Sequence, residues 1–120
     1  MIHEPEIHNA VAAALRAALP GYTVADYGSN PEPSPRPAAI TILENDLVEP
    51  PFDIQQVELS VSLGNSTAAE LPRLETSIIA ALENITAWTL AHGKLTRSVS
   101  DIDSKTKTAT HHLTFTLHIS

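Results

Sequence analysis

Apolar and polar residues alternate along the stretch 111–120: Leu113, Phe115, Leu117 and Ile119 fall on one side, His112, Thr114, Thr116 and His118 on the other. Successive strand side chains point to opposite faces of a sheet, so this pattern predicts a half-buried β-strand with one apolar face. Residues 54–63 repeat it, with Val57, Leu59, Val61 and Leu63 set against Glu58, Ser60 and Ser62. Two apolar strand faces need a covering layer, and two stretches of helical period offer one. In residues 6–19, Ile7, Val11, Leu15 and Ala18 form a stripe. The alanines among them favour helix and leave a thin face that packs closely. In residues 70–85 the stripe is Leu71, Leu74, Ile78, Ala81, Leu82 and Ile85.

Punctuation sets the boundaries. Pro20-Gly21 ends the first helix, because proline cannot continue the hydrogen-bond ladder and glycine can take the left-handed cap conformation. Thr67 with Glu70 reads as a capping box before the second helix. Pro72 is tolerable only in a first turn, so that helix starts between 67 and 71 and ends before or near Trp88. Further strands are expected at 22–27, 38–43, 94–102 (the weakest, of mixed pattern) and 108–120, with a polar hairpin turn at 103–107. Two segments are expected to be irregular. Residues 28–37 carry four prolines, which excludes helix and central strand and gives an extended loop of polyproline character. Residues 44–53 are acidic and broken by Pro50-Pro51. The order is α-β-β-β-α-β-β. It predicts a single α+β domain, a mainly antiparallel sheet with two helices packed on one face, and both irregular segments as insertions.

Composition narrows the function classes. A chain of 120 residues with 42% hydrophobic and 18% charged residues is globular. The net charge of −7 argues against a surface built for nucleic-acid phosphates. Arg16, Arg36 and Arg73 are scattered, and the nearest thing to a basic patch, Lys94, Arg97, Lys105 and Lys107, is interrupted by Asp101 and Asp103. The absence of cysteine removes disulfides, thiolate nucleophiles and sulfur-ligated metals. The start of the chain lacks the basic and apolar regions of a signal peptide, and no apolar run approaches the ~20 residues that span a bilayer. The two glycosylation-like triplets, at Asn65 and Asn84, are therefore read as coincidence.

Candidate chemistry is sparse. Of six histidines, His112 and His118 share a strand face but lie about 20 Å apart, too far to share a metal. His111 and His112 point to opposite faces, and His3 and His8 are poorly spaced for ligands. The histidines are expected to be solvated or at interfaces. Asp101 and Asp103 share a face and, with Asp46, Glu49 or Asp53, offer a conceivable Ca²⁺ or Mg²⁺ site. The favoured reading is a polar turn entry. No Gly-x-Ser-x-Gly elbow and no phosphate-cradling loop is present. Neither an enzyme nor a cofactor is expected. Trp88 is read as core, whereas Phe52 fits core or interface equally.

The succession of the first helix, the strand 55–63, the helix 70–85 and a last β-hairpin ending in 111–120 resembles the small tail terminator, or tail completion, proteins of long-tailed bacteriophages and prophages. The resemblance covers nearly the whole chain and is one of pattern, length and composition, without a diagnostic motif. It implies a structural virion protein that forms a hexameric ring, caps the tail tube and presents a surface to the head–tail connector. The implied partners are further copies of the chain, the tail tube protein and the connector protein, with no sequence-specific nucleic acid and no membrane. The implied location is the host cytoplasm during assembly and then the virion tail. On that reading the segments 28–37 and 44–53 contact neighbours or tube, and Pro33, Arg36, Asp46, Glu49 and Phe52 are the candidate interface residues. Alternatives are another head–tail joining or minor tail protein, a small cytosolic α/β ligand-binding or regulatory domain, and, poorest, an atypical metal-dependent hydrolase.

Overall fold

The structure is a computed structural model that describes residues 2–30, 33–49, 54–103, 105 and 108–120. Its elements are α1 (Glu4–Ala18), β1 (Thr23–Val24), β2 (Pro37–Glu49), β3 (Ile54–Gly64), α2 (Leu71–Glu83), β4 (Leu90–Asp103) and β5 (Thr108–Ile119). The strands form one sheet in the order β1-β2-β3-β5-β4. Every neighbouring pair is antiparallel except the short parallel contact of β1 with the start of β2. The fold is therefore α+β with the expected order of elements.

The core lies between the sheet and the two helices. Val57, Leu59, Val61 and Leu63 of β3 and Leu113, Phe115, Leu117 and Ile119 of β5 are buried, as their alternation requires. Ile7, Val11 and Leu15 of α1 and Leu74, Ile78 and Leu82 of α2 close over them, joined by Trp88. The buried Gln55 side chain ties the chain's start to the end of this core. Its amide oxygen accepts from the Ile2 N–H at 2.9 Å, and its amide nitrogen donates to the Ile2 carbonyl at 2.7 Å. A side chain thus takes the place of a strand neighbour for one residue.

Several boundaries differ from expectation, each for a physical reason. Helix α1 starts at Glu4, because Pro5 fits a first turn, where its missing N–H costs nothing. Gly21 does not cap α1 in the left-handed region; the glycine that adopts it is Gly28, at φ 75°. Thr67 and Glu70 form the turn before α2, with the Thr67 hydroxyl accepting from the Glu70 N–H, and the helix begins at Leu71, within the expected range. Strand β1 is shorter than expected because α1 takes over its backbone groups. Arg16 donates to the Val24 carbonyl, His8 meets the Ala25 carbonyl, and Asn9 accepts from the Tyr27 N–H. The expectation of an irregular segment from 44 is corrected, since Glu44 to Glu49 continue β2 along β3. Strand β4 is likewise longer than expected, running from Leu90 to Asp103.

Candidate interaction surface

Both helices lie on one side of the sheet, so its other face is open. Strand register arranges the side chains of that face in rows across the sheet. One row runs Glu44, Glu58, Thr116, Lys94, and the next toward the chain ends runs Asp46, Gln56, His118, His92. On the other side lies Thr41, Ser60, Thr114, Arg97. These rows depend on bulges. The pairing skips Leu43 and Val48 in β2 and Ala91 and Thr96 in β4. An extra residue shifts every later side chain to the opposite face. Without the skip at Leu43, Glu44 would point toward the core. Without those in β4, so would His92 or Arg97. The bulges thus turn charged and imidazole groups outward and leave Leu43 half exposed.

Toward the chain ends the two edges of the sheet carry opposite charge on this face. At one edge β1 covers only Pro37 and Ala38 of β2, and the strand beyond carries Glu44 and Asp46. At the other edge β4 carries Lys94 and Arg97, both exposed, and then Asp101 further along the same face. Between them the face holds a shallow groove of about 440 Å³ that includes Thr41, Ser60, Ser62, Arg97 and His112. Within it the Ser62 hydroxyl lies 2.7 Å from His112 Nδ1, and His112 Nε2 lies 3.0 Å from Asp101 Oδ2. The carboxylate calls for an N–H on His112 Nε2, and Nδ1 meets the Ser62 hydroxyl. All three residues sit on strands of the sheet. The arrangement orders a polar surface. A second groove, of about 660 Å³, lies on the helical side and includes Ala13 and Ala17 of α1, Ala80 and Ala81 of α2, and Ile85.

The candidate interface residues do not gather in one place. Pro33 is exposed in the proline-rich loop. Arg36 is engaged inside the molecule. Its guanidinium stacks on the Tyr22 ring at 4.3 Å, donates to the Tyr22 hydroxyl at 2.6 Å and pairs with Glu70 at 2.5 Å. Burial pushes the Tyr22 hydroxyl above its usual range despite the cation, and the hydrogen bond from Arg36 holds the Glu70 carboxyl below its own. Asp46 is exposed near the far end of β2, about 30 Å along the strand from Pro37. Glu49 closes β2 opposite Ile54, and Phe52 lies outside the described residues.

The histidines are also sorted. His111 is neither solvated nor at a surface. It is buried beside Ser66, whose hydroxyl donates to the Leu63 carbonyl, so the His111 Nδ1–H donates to Ser66 Oγ. The acids of the conceivable cation site do not gather. Asp101 lies level with Thr110 and Asp46 level with His118, about 26 Å apart along β5, and Asp53 lies outside the described residues. Sequence reasoning missed His92, which the register sets opposite His118. Among the described residues no helix is long and apolar enough to cross a membrane. No family model matches the chain, and no curated protein matches it significantly.

Proposed function

We propose that this chain is the subunit of a phage tail terminator, a head-to-tail ring that caps the tail tube and joins it to the head connector. The observation that carries this reading is the opposite charge of two stretches of the open sheet edges, Glu44 and Asp46 on β2 against Lys94 and Arg97 on β4, with Asp101 of β4 lying beyond them. These unlike stretches attract. Strand direction supports the same contact. Strands β2 and β4 run antiparallel, so β4 of one copy beside β2 of the next continues the antiparallel alternation of the sheet. In the row Glu44, Glu58, Thr116, Lys94, acid and base stand at the two ends, so an unsheared contact brings Lys94 against Glu44 of the next copy. A heterologous contact of this kind closes into a ring when its rotation closes. The resemblance in element order to tail terminators supplies the identity of the ring.

The test is the solution mass by light scattering, alone and with a tail tube protein. A mass near a hexamer, or arrest of tube growth at substoichiometric amounts, is the expected result. The double variants Glu44→Lys/Asp46→Lys and Lys94→Glu/Arg97→Glu have two edges of one sign and should each stay monomeric. Mixed in equal amounts they should regain the assembled mass, because each then meets an unlike edge. A stable wild-type monomer indifferent to the tube protein overturns the reading and favours a ligand-binding domain, for which the apolar groove between α1 and α2 is the place to look.

A further inference from the structure

The row at the end of the open face that lies toward the chain ends holds two imidazoles side by side. His92 of β4 stands opposite His118 of β5, with ring centroids 5.9 Å apart and planes inclined by 22°. The pair exists because of the bulge at Ala91. In an unbroken register Ala91 would face His118 and His92 would turn toward Leu117 and the core. His92 is exposed and His118 half-buried. Gln56 of β3 lies opposite His118 on its other side, and Lys94 is the next outward side chain along β4.

We propose that His92 and His118 form a bis-imidazole site for a divalent transition metal of the Zn²⁺, Ni²⁺ or Cu²⁺ class. Neutral imidazole suits these ions, while harder ions such as Mg²⁺ and Ca²⁺ demand oxygen donors. The centroid spacing matches, since an ion about 2.0–2.1 Å from one nitrogen of each ring lies about 3 Å from each ring centre, which sets the two centroids about 5 to 6 Å apart. The rings are stacked, so each must turn about its side-chain torsions to aim a nitrogen lone pair at a shared ion. Two protein ligands leave the remaining positions to water, with the Gln56 amide oxygen the nearest further donor by register. The ion's charge faces solvent and the Lys94 ammonium, so the site is of modest affinity and selects for imidazole-loving ions by ligand type. It lies within one chain and does not rest on ring formation.

The experiment uses the full chain without an affinity tag. ZnCl₂ is titrated by calorimetry, and CuCl₂ binding is followed by electron paramagnetic resonance, which reports nitrogen ligation directly. The expected result is saturable binding of one ion per chain with imidazole nitrogens in the Cu²⁺ spectrum. His92→Ala and His118→Ala should each weaken binding on the order of tenfold or more, while His112→Ala leaves it unchanged. Circular dichroism of each variant verifies that the fold is kept. Absence of saturable binding, or binding that neither His92→Ala nor His118→Ala weakens, overturns the proposal.

Discussion

Arg36 illustrates how a residue that reads as an exposed cation becomes structural. The sequence places it between two prolines in a polar loop, where a free charge is the natural expectation. The fold brings it to Tyr22 and Glu70, residues 14 and 34 positions away. Glu70 titrates below the usual carboxylate range because its hydrogen bond from Arg36 favours the charged form. The folded state therefore holds this carboxyl's proton less tightly than the unfolded chain does. The resulting stabilisation is complete above the unfolded value of about 4.3 and is lost as pH falls through the lower folded value. Glu70→Gln keeps the acceptor oxygen and removes the charge. Urea unfolding from pH 7 down to pH 3 should show the wild type more stable near neutrality, with the difference shrinking toward the acid end. A constant difference would mean that the charge is not what the pair contributes. His111 teaches the same lesson in reverse. Alternation places it on the buried side of β5, but only the turn at Ser66, which is not visible in any periodicity, explains how a buried imidazole there is satisfied.

Strands β3 and β5 were legible from sequence because each is central, flanked on both sides and buried on one face, so period two survives over their whole length. The second half of β2 and the first residues of β4 were not, and the rest of β4 read only weakly. They are edge strands, and bulges at Leu43, Ala91 and Thr96 break the phase of the pattern that would have announced them. An acidic run such as Glu44–Glu49 gives no apolar alternation to read, yet its backbone pairs because β3 is long enough to receive it. Glycine matters at one such junction. Gly64 ends β3 where Pro37 begins β2, and a Cβ there would lie 2.8 Å from Pro37 Cδ and 2.9 Å from Cγ. The proline ring cannot swing aside as a flexible side chain would. Gly64→Ala should therefore cost about 1–3 kcal/mol, read as a lower urea midpoint at unchanged slope. Stability equal to wild type would show that the β2 start can shift without loss.

At the scale of the molecule, the chain is elongated, with extents of 51 × 26 × 21 Å, because four long strands lie side by side under two helices. The separation of charge between its edges could not be read along the chain. The net charge of −7 and the interrupted basic run both conceal it, since only strand register reveals which acids and bases share a face. Contacts made by solvent-exposed charges are screened, with a Debye length of about 10 Å at 0.1 M salt and about 3 Å at 1 M. The proposed ring should accordingly assemble fastest at low ionic strength. Raising salt from about 0.05 to 1 M should slow assembly and lower the assembled fraction seen by light scattering. Assembly that strengthens with salt would point to an apolar contact elsewhere, such as the groove between the helices.

The strand order also has a consequence in time. Strand β5 follows β4 in the chain but lies between β3 and β4 in the sheet. As the chain leaves the ribosome, α1, the β2–β3 hairpin and α2 can gather first, while β4 emerges with no partner. Not until β5 is made can β3 be paired on its second side and β4 joined to the sheet. Translation must therefore proceed through Ile119 before the apolar face of this sheet is complete, and for that interval the nascent chain carries an open β3 edge that other chains can capture.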